Sequence, residues 1–245
     1  MIFKNVVFII EDEGDLKFLS FIKNLATKLG VSLYYLTINP NLTIDGNAKY
    51  ISNNLEETIS YALNSIKADL VIAHRKKIDP FKMIFLKPEY VKLAEKFSNA
   101  RFLFLREDVS QINKIGVAID FEDEENYIDY LKASYEFSKA LDIEPEFLFS
   151  FNQVYYETAL TKTHTEEEAR QIIQEMLETK INKIKENLAK ALNGKEAILK
   201  VLKGEPKREI PFYIHENNFD ICIISSKIKN KVSYLENIEV SIGIF

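Results

Sequence analysis

One stretch occurs twice in this chain and limits what it can fold into: a short branched-apolar run that ends in carboxylates and leads into an amphipathic segment. The first copy is Val6-Val7-Phe8-Ile9-Ile10 followed by Glu11-Asp12-Glu13, and the second is Ile115-Gly116-Val117-Ala118-Ile119 followed by Asp120-Phe121-Glu122-Asp123. A continuous apolar run bounded by polar residues is the mark of a strand buried on both faces of a parallel sheet. Acids at the carboxyl end of such a strand stand where open α/β sheets bind ligands. Each copy opens one half of the protein.

In order, the first half reads as strand and helix in alternation. Leu16, Leu19, Ile22, Leu25, Ala26 and Leu29 recur at helical spacing, and Gly30 is placed as a helix stop. Val31 to Ile38 is a strand ended by Asn39-Pro40, and Asn41 to Asn47 is a polar loop. A brief strand over Ala48 to Ile51, a helix over Leu55 to Ile66 and a buried strand over Ala68 to Ala73 follow. Pro88 opens a helix over Glu89 to Phe97, and Arg101 to Arg106 is the last strand of the half. Such alternation predicts a parallel sheet with helices on both faces.

The second half repeats this order. Asp69-Leu70-Val71-Ile72 and Asp220-Ile221-Cys222-Ile223 differ by 151 in number, as do Ile59 and Ile210, whereas Glu11 and Asp120 differ by only 109. The difference is absorbed mostly between the second and third strands, where the second half carries a long additional helix. Thr165-Glu166-Glu167-Glu168 is a capping box that starts it, Ile172 to Leu192 supplies one apolar face, and Asn193-Gly194 closes it. With charged pairs on its outer side, it reads as a covering helix.

At 245 residues the chain has room for two cores, expected over 1–108 and 113–245 with the short linker Glu107 to Asn113 between them. A net charge of −5 argues against nucleic acid, whose phosphates call for a dense basic face. Cys222 stands alone in an apolar run, so a buried thiol and no disulfide within the chain are expected. The first apolar run stops at Glu11 with no basic segment before it. Neither a signal peptide nor a membrane span is expected, and the cytoplasm follows.

These features resemble the universal stress protein family, as a tandem of two domains. The resemblance rests on Ala118-Ile119-Asp120 ahead of a helix, on the turn Gly204-Glu205-Pro206 leading to Ile210, and on the Asp-then-apolar strands at Asp69 and Asp220. It implies two fused Rossmann-like domains of the adenine nucleotide alpha hydrolase-like kind, each a five-stranded parallel sheet of order 3-2-1-4-5. Their fifth strands would meet edge to edge, Arg101 to Arg106 against Glu239 to Phe245, making a pseudo-dimer from one chain.

Many members of that family bind ATP through a loop after the fourth strand, of pattern Gly-x-x-Gly-x9-Gly-Ser/Thr, in which glycines let backbone amides approach phosphates. This chain departs from it in both halves. The two leading glycine positions are His74 and Lys77 in the first half and Ser225 and Ile228 in the second. The Gly-Ser pair falls on Lys87-Pro88 and about Ile238-Glu239.

Near these strand ends the candidate binding residues are Asp120, Ser225, Ser226 and Lys227. The resemblance implies Asp120 as the acceptor for an adenine or ribose, with the two serines and the lysine holding a phosphate without glycines. The plainer reading has Asp120 capping the next helix and the serines capping a turn. In the first half Glu11, Asp12 and Glu13 face His74, Arg75, Lys76 and Lys77, which suggests an ion-paired rim. Lys229 with Lys231, and Glu122 to Glu125, read as solvated patches.

An enzyme is not expected. His74, His164 and His215 are far apart with no metal-ligand spacing, Cys222 is too apolar in setting for a poised thiolate, and no nucleophile elbow occurs. The adjacent acids Glu11 and Asp12 are common at helix starts without acid–base work. The favoured function is a tandem universal-stress-like regulatory or interaction module without phosphate-loop ATP binding, acting through a protein partner or self-association. The alternative keeps ATP or AMP, with or without magnesium, in the second half only. No metal site, membrane or nucleic acid enters either reading.

Overall fold

A computed structural model describes residues 3–42, 48–76, 87–120, 127–228 and 231–245. Ten strands form one sheet: β1 (Asn5–Ile10), β2 (Ser32–Thr37), β3 (Ala48–Tyr50), β4 (Leu70–His74), β5 (Phe102–Leu105), β6 (Ile115–Ile119), β7 (Glu146–Phe151), β8 (Ile198–Lys203), β9 (Ile221–Ile224) and β10 (Ser241–Ile244). Their order is β3-β2-β1-β4-β5-β10-β9-β6-β7-β8. Every neighbouring pair is parallel except β5 and β10, which run antiparallel with Phe104 opposite Ile242. The expectation of two five-stranded sheets is therefore corrected to a single ten-stranded one. The cause is the backbone ladder between Phe102–Phe104 and Ile242–Ile244, which leaves no sheet edge at the junction.

The helices are α1 (Leu19–Leu29), α2 (Leu55–Tyr61), α3 (Glu89–Lys96), α4 (Tyr127–Ala140), α5 (Gln153–Leu160), α6 (Glu166–Ala191), α7 (Pro206–Glu216) and α8 (Lys231–Asn237). A 3-10 turn over Glu13–Phe18 precedes α1, and a π turn over Ala62–Ile66 extends α2. Strand periodicity divides the core between the two faces of the sheet. Val6, Phe8 and Ile10 belong to the apolar cluster that also takes in α1, α4 and α6, while Val7 and Ile9 belong to the one that takes in α2, α3, α7 and α8. All five residues are at most 1% exposed, as a strand covered on both sides must be.

Local signals explain the boundaries. Gly30 ends α1 at φ 65°, a left-handed conformation that glycine adopts without a Cβ clash. Thr165 and Glu168 form the reciprocal capping box of α6, which runs for 26 residues and closes at Asn193 (φ 53°) and Gly194 (φ 77°). Gly204 sits at φ 128°, its amide donating to the Phe151 carbonyl at 3.0 Å, and Pro206 is the first residue of α7. Pro88 differs slightly from expectation, standing as the cap before α3 rather than within its first turn.

Between β2 and β3 the chain has residues 38–47, and between β7 and β8 it has residues 152–197. That difference is filled by α6 and also by α5, a helix the sequence pattern does not reveal because none of its residues is buried. The polar turn at Asp45-Gly46 and the acidic run Glu122 to Glu125 lie outside the described residues, as do Lys77 and Lys229.

One device starts both halves. The Asp69 carboxylate, just before β4, accepts the Lys4 and Asn5 amides at 2.8 and 2.9 Å, and Asp220, just before β9, accepts those of Asn113 and Lys114 at 2.7 and 3.0 Å. Each carboxylate thereby fixes the register of the central strand beside it.

Candidate functional site

Strand order reverses between β1 and β4 and again between β6 and β9, so the carboxyl ends of these strands flank the two crevices where an open α/β sheet takes ligands. Among the described residues, side chains of the chain itself make contacts at both crevices.

In the second half, Asp120 follows β6 and Ser225 follows β9. Asp120 Oδ2 accepts the Tyr234 hydroxyl from α8 at 2.9 Å, and its backbone amide donates to the Tyr127 hydroxyl at 3.0 Å. The Tyr127 hydroxyl also donates to the Asp120 carbonyl. Tyr130 reaches across the reversal, its hydroxyl 2.8 Å from the Ala118 carbonyl and 3.0 Å from that of Ile223. Tyr234 and Tyr130 are 1% and 5% exposed. Burial raises the pKa of Tyr127, Tyr130 and Tyr234 above the ordinary phenol value, and the Asp120 charge adds to the rise at Tyr234. Cys222 is wholly buried and its thiol is pushed up to about 12, far from a reactive thiolate.

The turn after β9 has its amides committed. Ser226 N–H donates to the Phe245 carbonyl at 2.7 Å, Lys227 N–H to Ser225 Oγ at 3.2 Å and Ile228 N–H to the Ser225 carbonyl at 3.2 Å. A phosphate cradle works by pointing such donors outward; here they point inward. Ser225 is buried, Ser226 half-buried and Lys227 exposed. Ser225, Ser226 and Lys227 line one groove of about 670 Å³, whereas Asp120 faces Tyr234 and is not among the residues lining it. Asp120 and Ser225 thus follow neighbouring strands, with Asp120 engaged by Tyr234 and only Ser225, Ser226 and Lys227 lining the groove.

In the first half, Glu11 follows β1 and His74 ends β4. Lys76 Nζ lies 2.9 Å from both Glu11 Oε2 and Asp12 Oδ2, the ion-paired rim expected of these acids. Desolvation by burial raises the Glu11 carboxyl, while the bond from Lys76 lowers that of Asp12. Burial opposes the charge on Lys76, yet its bonds to Asp12 and Glu11 prevail and hold its pKa above the ordinary value.

Two members of the expected rim do something else. His74 Nδ1 sits 2.8 Å from Asp15 Oδ1, an ion-pair distance that is not aligned as a hydrogen bond, with the imidazole edge-on to Phe18 at 5.1 Å. Asp15 is fully buried, and its other oxygen accepts the Glu11 amide at 2.8 Å. The pairing of positions 15 and 74 leaves no mark in the sequence. Arg75 turns away from the acids altogether. Its guanidinium donates to the Val240 carbonyl at 2.6 Å, to the Leu235 carbonyl at 3.3 Å and to the Tyr90 hydroxyl at 3.0 Å, while Tyr90 donates to the same Leu235 carbonyl at 2.9 Å.

Comparison with solved structures decides the architecture. A protein of unknown function from Pseudomonas aeruginosa PAO1 superposes with a TM-score of 0.65 at 14% identity, covering 99% of this chain and 92% of that one. A universal stress protein from Archaeoglobus fulgidus DSM 4304 superposes with a TM-score of 0.58 at 13% identity, covering 97% of each chain. The fold is that of a universal stress protein. A candidate universal stress protein from Pseudomonas aeruginosa UCBPP-PA14 matches equally widely, at 15% identity and a TM-score of 0.63 over 99% of this chain and 93% of that one. No protein-family model matches the sequence, and no curated protein does. Similarity at this level carries the universal stress fold and leaves the function to the chemistry of the site.

Among the described residues, no helix is long and apolar enough to cross a membrane, and no group of three or more His, Cys, Asp or Glu side chains is placed to hold a metal ion.

Proposed function

We propose that this chain is a tandem universal-stress-like regulatory or interaction module, with domains over 1–108 and 113–245, that has given up phosphate-loop binding of ATP and acts through protein contacts. The observation that carries the reading is the inward commitment of the Ser226, Lys227 and Ile228 amides. Tyr234 supports it by holding the Asp120 carboxylate that an adenine or ribose would otherwise need. In the first half, His74 stands at the leading glycine position with its ring packed on Phe18 and Asp15. The lone buried thiol suits a reducing compartment, and we place the protein in the cytoplasm.

Catalysis is not part of this reading. The Asp15–His74 pair comes nearest to a catalytic arrangement, but its imidazole is nine-tenths buried and no serine or cysteine stands beside it among the described contacts. The alternative, ATP or AMP held by the second half alone, requires Tyr234 to leave Asp120.

Thermal unfolding with ATP, with AMP and without ligand, each with and without magnesium, separates the two. A specific ligand at about a hundred times its dissociation constant stabilises the fold by roughly 2.7 kcal/mol, several degrees for a chain of this size. The expected result is that neither ATP nor AMP gives a shift that depends on Asp120. A shift with AMP that Asp120→Ala removes overturns the reading in favour of the alternative.

A further inference from the structure

The ten-stranded sheet has two open edges, and they are not alike. β3 ends one side with three residues, whereas β8 ends the other with six, Ile198–Lys203, paired along its whole length with Glu146–Phe151 of β7. No strand lies on the far side of β8, and among the described residues no side chain or other backbone group bonds its amides and carbonyls there. None of its six residues is buried, and Ile198 is 50% exposed, whereas β7 buries five of its six. An edge of this length presents a row of free donors and acceptors, onto which an extended segment adds as a further strand.

The side chains of β8 say which segment. Leu199 and Val201 join the apolar cluster that takes in α6, and Leu202 joins the one that takes in α7. By alternation Lys200 stands on the α7 face, where its ammonium lies over the Tyr213 ring at 5.7 Å, and Lys203 stands on the α6 face. Both lysines are exposed, neither has a carboxylate partner among the described residues, and the strand holds no acid, in a chain of net charge −5. Lysine on an edge guards against pairing with a second copy of the same strand, which would bring like charges together. The same two charges favour an acidic strand.

We infer that β8 takes up an extended segment of a partner protein as a further strand of the sheet, one that carries two carboxylates three residues apart. Main-chain bonds along the edge hold the segment, and the spacing sets the choice. Residues three apart lie on opposite faces, as Lys200 and Lys203 do, so each acid meets one lysine across the pair. The inference rests on the reading that this protein acts through protein contacts, and it names the chemistry of the contact.

The test uses the full chain and a capped seven-residue peptide of threonine and valine with glutamate at its second and fifth positions, titrated to about 1 mM. One control peptide carries lysine at those positions. The other carries glutamate at the second and fourth, so that both acids share a face. Binding is read by calorimetry and by slowed amide exchange at Ile198–Lys203. The first peptide is expected to slow exchange there, and both controls are expected to bind weaker by about tenfold or more. Lys200→Glu with Lys203→Glu is expected to reverse the preference towards the lysine peptide, and Lys200→Gln with Lys203→Gln to abolish it, with circular dichroism unchanged. Absence of binding by the first peptide overturns the proposal. So does equal binding of either control, the sign of an edge that does not select charge or spacing, and so does exchange slowed elsewhere than β8. Dimerisation of the chain through β8 overturns it in favour of a second copy. These outcomes leave thermal shifts with AMP untouched, so the proposal can fail while the proposed function stands. An AMP shift that Asp120→Ala removes strikes the proposed function without altering the peptide result.

Discussion

The Tyr234 hydroxyl, itself buried, donates to Oδ2 of the half-buried Asp120 at 2.9 Å. Removing the donor forfeits a hydrogen bond to a charged group, whose net contribution is about 1–3 kcal/mol. Tyr234→Phe keeps the ring and removes only the bond, so its effect isolates this contact. A loss of about 1–3 kcal/mol is expected in urea unfolding with an unchanged m-value. A neutral result would mean that water replaces the hydroxyl and that the crevice is wet.

Alkaline pH should unfold the protein through the groups that burial holds protonated. Tyr127, Tyr130 and Tyr234 have folded pKa values raised above 10.0, and Cys222 is raised from 9.0 to about 12. For a group raised in the folded state, the unfolded chain binds fewer protons once pH exceeds the unfolded value, so stability falls as pH rises. The contribution of Cys222 is full below about pH 9 and is lost through about pH 12. Phenolate absorbance is therefore expected to appear together with loss of far-ultraviolet dichroism. Phenolate formation well ahead of unfolding would show these tyrosines to be accessible.

Asp69 and Asp220 make the same pair of bonds in opposite halves, and the energetics should repeat as well. Each carboxylate accepts two backbone amides, and such charge-assisted bonds contribute about 1.5–3 kcal/mol apiece to gross stability. Asp69→Ala and Asp220→Ala are expected to destabilise by similar amounts, about 2–3 kcal/mol each. Sharing no partner, they should combine additively to within about 0.5 kcal/mol. Strong non-additivity in denaturant titrations would show that the halves report each other's strand register.

That correspondence was legible as an offset of 151 between two Asp-apolar runs, because a strand buried on both faces leaves a continuous apolar signature. Helix α6 was legible for the same kind of reason, its capping box and glycine stop being local chemistry. Helix α5 was not, since periodicity records burial and none of its residues is buried. The roles of Asp15, Arg75 and Tyr234 were hidden too. Asp15 meets a histidine 59 positions away, Arg75 meets carbonyls 160 and 165 positions away, and Tyr234 meets a carboxylate 114 positions away. Charge sequence alone placed Arg75 on the acidic rim, whereas the β5–β10 ladder brings Leu235 and Val240 within its reach.

Gly116 offers the sharpest packing test. It lies in β6 where its counterpart in β1 is Val7, so neither turn geometry nor a positive φ explains the glycine. Its surroundings do. A Cβ at this position would stand 2.3 Å from Ile214 Cδ1, 3.1 Å from Leu148 Cδ1 and 3.3 Å from Phe219 Cδ1. All three neighbours are at most 3% exposed, so the Ile214 methyl has little room to swing aside. Overpacking of this kind costs about 1–3 kcal/mol, and Gly116→Ala should lower the melting temperature by about 2–4 °C for each kcal/mol. If contact with Ile214 is the cause, Gly116→Ala combined with Ile214→Val should recover part of the loss, since valine lacks the offending Cδ1. A double variant less stable than either single one would instead place the strain in the β6 backbone and make α7 a bystander.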